Sequence, residues 1–224
     1  MADTEKKVLV VFSGGMDSTT LLYWIRTKYK NIEAISFNYG SKHNKKELEC
    51  AKYHTNKLGI KHKIINLNLN KMGFKSNLLT SGGKIPEGNY NEDNMKSTVV
   101  PFRNGIMLAI AAGYAESIGA QKVLLGSHSG DHVIYPDCRK EFTQAMNLAV
   151  YLGTENNIEI ESPFNNLMKW NIAKLGENLG IDYSKTWSCY KGKDKHCGKC
   201  GTCMERKEAF KKSQVEDPTE YMEE

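Results

Sequence analysis

Four consecutive apolar residues, Val8-Leu9-Val10-Val11, run directly into Phe12-Ser13-Gly14-Gly15-Met16-Asp17-Ser18. A run of that length, rich in β-branched side chains and lacking alternation, predicts a strand covered on both faces. Behind the glycines, Thr19-Thr20-Leu21-Leu22-Tyr23-Trp24-Ile25 places apolar residues at helical spacing, so a helix is predicted to begin near Asp17 or Ser18. A buried strand joined to a helix by a tight glycine turn is the opening unit of a parallel sheet with crossover helices. The same turn suits an anion. Gly14 and Gly15 let the backbone bend and approach a ligand closely, and the helix start offers unpaired N–H groups and a positive dipole end. Ser13 and Ser18 add hydroxyl donors. Asp17 can either cap the helix or hold a magnesium ion carried in on a nucleotide.

The turn is neither a G-x-x-x-x-G-K-[ST] loop nor a G-x-G-x-x-G dinucleotide turn, and no lysine follows its glycines. Two glycines alone would favour an ordinary strand-to-helix turn with Asp17 as its cap. The complete S-G-G-x-D-S string argues against that. It resembles the pyrophosphate loop of the ATP pyrophosphatase superfamily, whose members split ATP between its α and β phosphates to adenylate a substrate. The resemblance implies an ATP-binding stretch over Phe12, Ser13, Gly14, Gly15, Met16, Asp17, Ser18, Thr19, Thr20, Leu21 and Leu22, with Ser13, Asp17 and Ser18 as the catalytic members.

Downstream, residues 33–38 read as a second strand, 45–58 as a helix with Gly59 past its end, and 62–67 as a third strand. A long helix opens at Arg103 and ends before Gly119. Residues 123–126 and 158–160 give two more strands, with a helix from about Glu141 between them and another over 169–179. The expected fold is α/β: a doubly wound, mainly parallel five-stranded sheet with helices on both faces. Residues 1–183 are expected to form this domain, and 184–224 a metal-binding region that is not an independent domain. Residues 68–98, rich in Gly, Asn and Ser, have no sustained period. They read either as a mobile cover over the nucleotide site containing a short helix or as an inert insertion.

In such sheets ligands gather at the carboxyl ends of strands. Phe37 and Tyr39 end strand two, where they either stack on a flat ring or simply close the core. Phe102-Arg103-Asn104 opens a helix at the same sheet edge, and Arg103 there suits a phosphate or carboxylate. After strand four, 127–139 concentrates two His, two Asp, Tyr, Cys and Arg, the make-up of a recognition loop.

Of six cysteines, Cys189, Cys197, Cys200 and Cys203 fall within fifteen residues as C-x7-C-x2-C-x2-C. The chain starts with a polar segment and has no run of eighteen apolar residues, which gives a cytoplasmic location without membrane spans as the expectation. Thiolates so spaced point to Zn²⁺ ahead of an iron–sulfur cluster or a redox dithiol. Cys50 and Cys138 read as plain thiols. The net charge of +5 is mild, with a basic stretch around these cysteines that suits either a polyphosphate or nucleic-acid partner or plain solvation.

Four strings together, Ser13–Ser18, Val100-Pro101-Phe102-Arg103-Asn104, Tyr135-Pro136-Asp137-Cys138-Arg139 and Trp187-Ser188-Cys189-Tyr190 with three further cysteines, resemble the 7-cyano-7-deazaguanine synthase family over essentially the whole chain. That resemblance implies an adenine nucleotide alpha hydrolase-like fold and conversion of 7-carboxy-7-deazaguanine to its nitrile with ATP, Mg²⁺ and ammonia. It also implies one zinc on the four cysteines and a homodimer, with no direct nucleic-acid partner. On this reading Phe37, Tyr39, Phe102 and Tyr135 offer stacking surfaces, Asp131 and Asp137 acceptors for the base, and Arg103 and Arg139 partners for carboxylate or phosphate. The rivals are a tRNA-thiolating ATP pyrophosphatase, with persulfide-carrying cysteines, and a nucleic-acid-binding module on a nucleotide-sensing scaffold.

Overall fold

The protein is described by a computed structural model covering residues 5–222. β1 (Lys7–Val11) leads through the glycine turn into α1 (Met16–Arg26), and β2 (Asn31–Asn38), α2 (Asn44–Leu58) and β3 (Lys61–Asn66) repeat the unit. A long connection holds the one-turn α3 (Glu92–Met95) before α4 (Arg103–Ser117). β4 (Lys122–Leu124), α5 (Lys140–Gly153), β5 (Glu159–Glu161) and α6 (Lys169–Asn178) complete the sheet, and α7 (Gly201–Ser213) follows the cysteines.

The five strands lie in the order β3-β2-β1-β4-β5, and every pairing is parallel. β1 sits at the centre because it is apolar on both sides: Val8, Leu9 and Val10 are all fully buried. Successive side chains point to opposite faces. Leu9 joins Leu108, Ala111, Ala112 and Ala115 of α4 on one face. Val8 and Val10 meet Leu21, Leu22 and Ile25 of α1, Ala51 of α2 and Ile172 of α6 on the other. At about 1.5–3 kcal/mol for each large aliphatic side chain buried, this double cover is the main stabilising term of the sheet. From β1 the chain first winds outward to β3, then returns to β4 on the other side. That reversal opens a crevice between the carboxyl ends of β1 and β4, the ligand position in doubly wound sheets.

The connection from 68 to 98 differs from a mobile cover. Leu69, Leu78, Leu79, Ile85 and Met95 are buried, and all but Met95 belong to the α4-side core. The Lys42 ammonium donates to the carbonyls of Asn77, Leu79, Gly82 and Gly83 at 2.6–3.1 Å, tying the segment to the start of α2. Its hydrophobic residues are too scattered to show a period, yet numerous enough to pack. Nor is the basic stretch near the cysteines simply solvated: Arg206 is fully buried and donates to Thr186, Ser188 and the Tyr183 carbonyl, with Asp217 at 3.4 Å.

Candidate active site

The glycine turn is held from three sides. Gly14 has φ +85°, and a Cβ there would meet the Ala51 backbone nitrogen at 2.7 Å and the Glu47 carbonyl oxygen, so α2 packs against bare backbone. The Gly14 carbonyl accepts from Trp187 N–H at 3.1 Å. Ser13 and Ser18 hydroxyls lie 3.0 Å apart, and Ser13 Oγ accepts from Gly15 N–H at 3.1 Å. α1 has no side-chain cap, which leaves its first N–H groups facing the crevice. Asp17 is therefore free of capping; its Oδ2 lies 3.0 Å from Lys169 Nζ instead.

A cleft of about 1260 Å³, open mouth included, runs from this turn across the sheet edge. The cleft borders the glycine turn at one end and aromatic side chains at the other, so an anion held at the turn would face a flat molecule across it. Ser13, Gly15, Met16, Asp17 and Ser18 form its floor, and Phe12 also reaches it. Thr19, Thr20, Leu21 and Leu22 do not: they are buried behind the turn, where Thr20 bonds the Met16 carbonyl and the Tyr183 hydroxyl.

The far side of the cleft is aromatic. Arg103 donates to the Tyr39 hydroxyl at 3.2 Å and packs over its ring. No carboxylate pairs with this guanidinium among the described residues. The Tyr190 ring stacks on His43 at 5.1 Å, and its hydroxyl lies 3.2 Å from that of Tyr135. Asp131 accepts from Tyr90 at 3.0 Å, a residue contributed by the 68–98 connection. Phe37, Tyr39, Arg103, Asp131 and Tyr135 thus share one wall system.

Three of the residues expected to bind substrate, Phe102, Asp137 and Arg139, do not line this cleft. Phe102 is 59% exposed, turned outward by a left-handed backbone (φ +52°) and packed edge-on against Phe142. Asp137 accepts from the Asn104 backbone N–H at 2.8 Å, because the uncapped start of α4 needs an acceptor. Arg139 is exposed and donates to the His132 carbonyl.

The cleft also contains His43, Glu47, Lys169, Thr202 and Glu205, which the sequence does not single out, and Tyr190, which it marks only as part of a string. His43 and Glu47 sit 3.6 Å apart. Burial pushes the Glu47 carboxyl up to about 8 and, with Arg103 nearby, His43 down to about 3. Both are then neutral at pH 7. Glu47 released from the fold ionises near 4.5. Between 4.5 and 8 the folded state keeps a proton that the unfolded chain has lost, so this group lowers stability as pH rises through that window. Glu47→Gln is accordingly expected to raise the melting temperature at pH 8 and to leave it nearly unchanged at pH 4.5. Equal shifts at both pH values would refute the assignment.

The four clustered cysteines are buried, and their sulfurs all lie within 4.8 Å of one another. Cys200 and Cys203 are 3.5 Å apart and Cys197 and Cys203 4.0 Å. A tetrahedral site with metal–sulfur bonds of about 2.3 Å has edges of about 3.8 Å, so the set fits one ion. Backbone N–H groups of Cys197 and Cys200 donate to Cys189 and Cys197 sulfurs, as thiolates favour. α7 starts inside this cluster and carries Thr202 and Glu205 into the cleft. By contrast, burial pushes the thiols of Cys50, to about 11, and Cys138 upward, which makes both poor nucleophiles.

Sheet order, uncapped glycine turn and crevice together define a doubly wound α/β protein with an anion-binding turn at the tip of β1. Solved structures agree on the fold: a U34-tRNA thiolase, NcsA, from Methanococcus maripaludis with its [4Fe-4S] cluster has a TM-score of 0.52 at 16% identity, covering 84% of this chain and 62% of that one. NMN synthetase from Francisella tularensis also scores 0.52, at 13% identity, covering 95% and 79%. The chain belongs to the family described as Queuosine biosynthesis protein QueC, whose model matches residues 7–214. A 7-cyano-7-deazaguanine synthase from Porphyromonas gingivalis is 56% identical over 217 residues, 97% of this chain and 98% of the relative. Those from Desulfotalea psychrophila and Methanoregula boonei are 55% and 48% identical, each over 96% of this chain and 98% and 99% of theirs.

Proposed function

We propose that the protein makes 7-cyano-7-deazaguanine from 7-carboxy-7-deazaguanine and ammonia, using ATP, as a ligase forming a C–N bond in queuosine synthesis. The observation that carries this reading is that the pyrophosphate turn and an unpaired guanidinium, Arg103, open into the same tyrosine-lined cleft. The turn suits a triphosphate and Arg103 an aromatic acid's carboxylate. Phe37, Tyr39, Tyr135 and Tyr190 supply flat surfaces for its ring, and Asp131 an acceptor for ring or amine N–H.

A carboxylate is a poor electrophile. With Arg103 orienting it, one oxygen attacks the α phosphorus, and the electron pair of the bridging bond leaves with pyrophosphate. The uncapped N–H groups at the start of α1 and the Ser13 and Ser18 hydroxyls stabilise the departing charge. Mg²⁺ bound with the nucleotide at Asp17 would neutralise phosphate charge. Ammonia displaces AMP to give the amide, and a second adenylation turns the amide oxygen into a leaving group. Zn²⁺ on Cys189, Cys197, Cys200 and Cys203 would staple α7 to the sheet. A thiolating enzyme that carries sulfur as a cysteine persulfide would need a reactive thiolate at the cleft. Cys138, which lines it, is held protonated by burial.

Incubating the protein with ATP, Mg²⁺, ammonium and 7-carboxy-7-deazaguanine should yield the nitrile and AMP by mass spectrometry. Formation of ADP, or an unchanged base, overturns the reading. Arg103→Leu should raise the KM for the acid about 10- to 100-fold, the worth of one charge-assisted pair at about 1.5–3 kcal/mol, and leave the KM for ATP nearly unchanged. A shift in the ATP constant alone would move Arg103 to the phosphates.

The protein is further inferred to be a cytoplasmic homodimer that does not bind nucleic acid directly. No helix among the described residues is long and apolar enough to cross a membrane. Leu148, Tyr151 and Leu152 expose 60%, 41% and 73% of their surface along α5, an apolar stripe suited to a second copy. Sedimentation of Leu152→Asp should give a monomer where the native protein gives a dimer; a native species of 25.3 kDa would remove the dimer.

A further inference from the structure

The pyrophosphate turn carries hydroxyls, N–H groups and an aspartate, but no cation of its own. A triphosphate arriving there needs positive charge close to the phosphorus under attack. Among the residues lining the cleft, only Arg103 and Lys169 are permanently cationic. Arg103 stands against Tyr39 on the aromatic side. Lys169 stands at the turn, its Nζ 3.0 Å from Asp17 Oδ2 and 2.8 Å from Glu205 Oε2.

Its placement follows from topology. Lys169 is the first residue of α6, and helices in this fold begin where strands end, so the residue reaches the turn from 152 positions away in sequence. The side chain is only 12% exposed, in surroundings where a charge acts more strongly than in water. Asp17 and Glu205 overcome the effect of burial and hold the amine in its charged form. An ammonium has three donors, and two are engaged here. The third remains for a ligand in the cleft.

We propose that Lys169 is a catalytic residue of the adenylation step: its ammonium donates to an oxygen of the α phosphate and stabilises the charge that builds as pyrophosphate departs. The inference rests on the acid-adenylating reading above. The bond formed joins the substrate carboxylate oxygen to the α phosphorus, and the bond broken is α phosphorus to bridging oxygen. Its electron pair stays on pyrophosphate, and no proton moves. Lys169 contributes hydrogen bonds and charge only. Glu205, which does not touch the phosphates, is a positioning residue that fixes the ammonium from α7.

The test is exchange of labelled pyrophosphate into ATP, dependent on 7-carboxy-7-deazaguanine, measured on the full chain loaded with its metal. Lys169→Met should lower the exchange kcat by about 100-fold or more, with the KM for the acid within about threefold of native. Lys169→Arg should recover part of the rate. Loss of the lysine also leaves Glu205 without its counter-charge, so Lys169→Met combined with Glu205→Gln is the decisive control. If Lys169 acts on phosphate, the double variant stays slow; if it merely neutralises Glu205, the double variant regains its rate and the proposal is overturned. Exchange by Lys169→Met within threefold of native also overturns it. Absence of exchange in the native protein would remove the acid-adenylating reading and this inference with it, whereas native exchange with undiminished Lys169→Met exchange removes this inference alone.

Discussion

Cys200→Ser is expected to lose its metal, melt about 10–20 °C below the native protein, and show no measurable exchange or nitrile formation. The sulfur is fully buried, and its cluster lies within the same apolar core as Leu9, Ile35 and Val123. Structural zinc sites of four protein ligands contribute about 10–16 kcal/mol of apparent binding energy in small domains. Losing even about 5 kcal/mol of that shifts a chain of this size by the stated amount, since each kcal/mol corresponds to about 2–4 °C. The activity should vanish for a separate reason. α7 begins at the cluster and brings Glu205 against Lys169, so an unanchored α7 removes one wall of the cleft. Metal analysis and a thermal melt check this directly. A Cys200→Ser protein that keeps one ion per chain and melts within about 3 °C of native would falsify the four-thiolate centre.

The second large effect concerns backbone. Gly14→Ala is expected to cost about 2–4 kcal/mol of stability and at least about 100-fold in exchange rate. Two causes add. A side chain at φ +85° is strained by about 1–2 kcal/mol, and the new Cβ would lie 2.7 Å from the Ala51 backbone nitrogen, which cannot yield without moving α2. Gly15 provides the comparison. Its φ is −77°, and a Cβ there meets Ser13 Oγ at 3.2 Å and the Trp187 carbonyl at 3.3 Å, contacts relieved by small shifts. Gly15→Ala should therefore stay within about tenfold of native, near 1 kcal/mol. Equal penalties for the two alanines would mean that the close approach of α2 to the turn is not what Gly14 serves.

How far the sequence reveals this molecule depends on the range of the interaction. β1 and its turn are legible because a β-branched run, two glycines and a helical period are local signals. The ends of α2 and α4 are legible for the same reason, marked by Gly59 and Gly119. The four cysteines are legible as a set because their spacing is short. What escaped is long-range. Lys169 and Asp17 are 152 positions apart, and only the rule that helices start at the ligand-bearing edge, already applied to Arg103, would have placed Lys169 in the cleft. The role of α7 is not legible locally because its charges look like a solvated surface, whereas Arg206 turns inward to four partners. Tyr190 belongs to a recognisable string, but its stacking on His43 is a tertiary fact. Phe102, Asp137 and Arg139 show the converse: chemically apt residues near the site, diverted to packing, capping and surface by a local backbone need.

One feature of α7 has a bearing on how the protein comes into being. Its glutamate and threonine close the cleft, yet they are translated after every strand of the sheet. A nascent chain with its five strands already paired would still offer ATP an incomplete seat, deprived of the partner that steadies Lys169. The cleft is therefore complete only once the cysteine cluster and α7 have emerged and packed against the sheet.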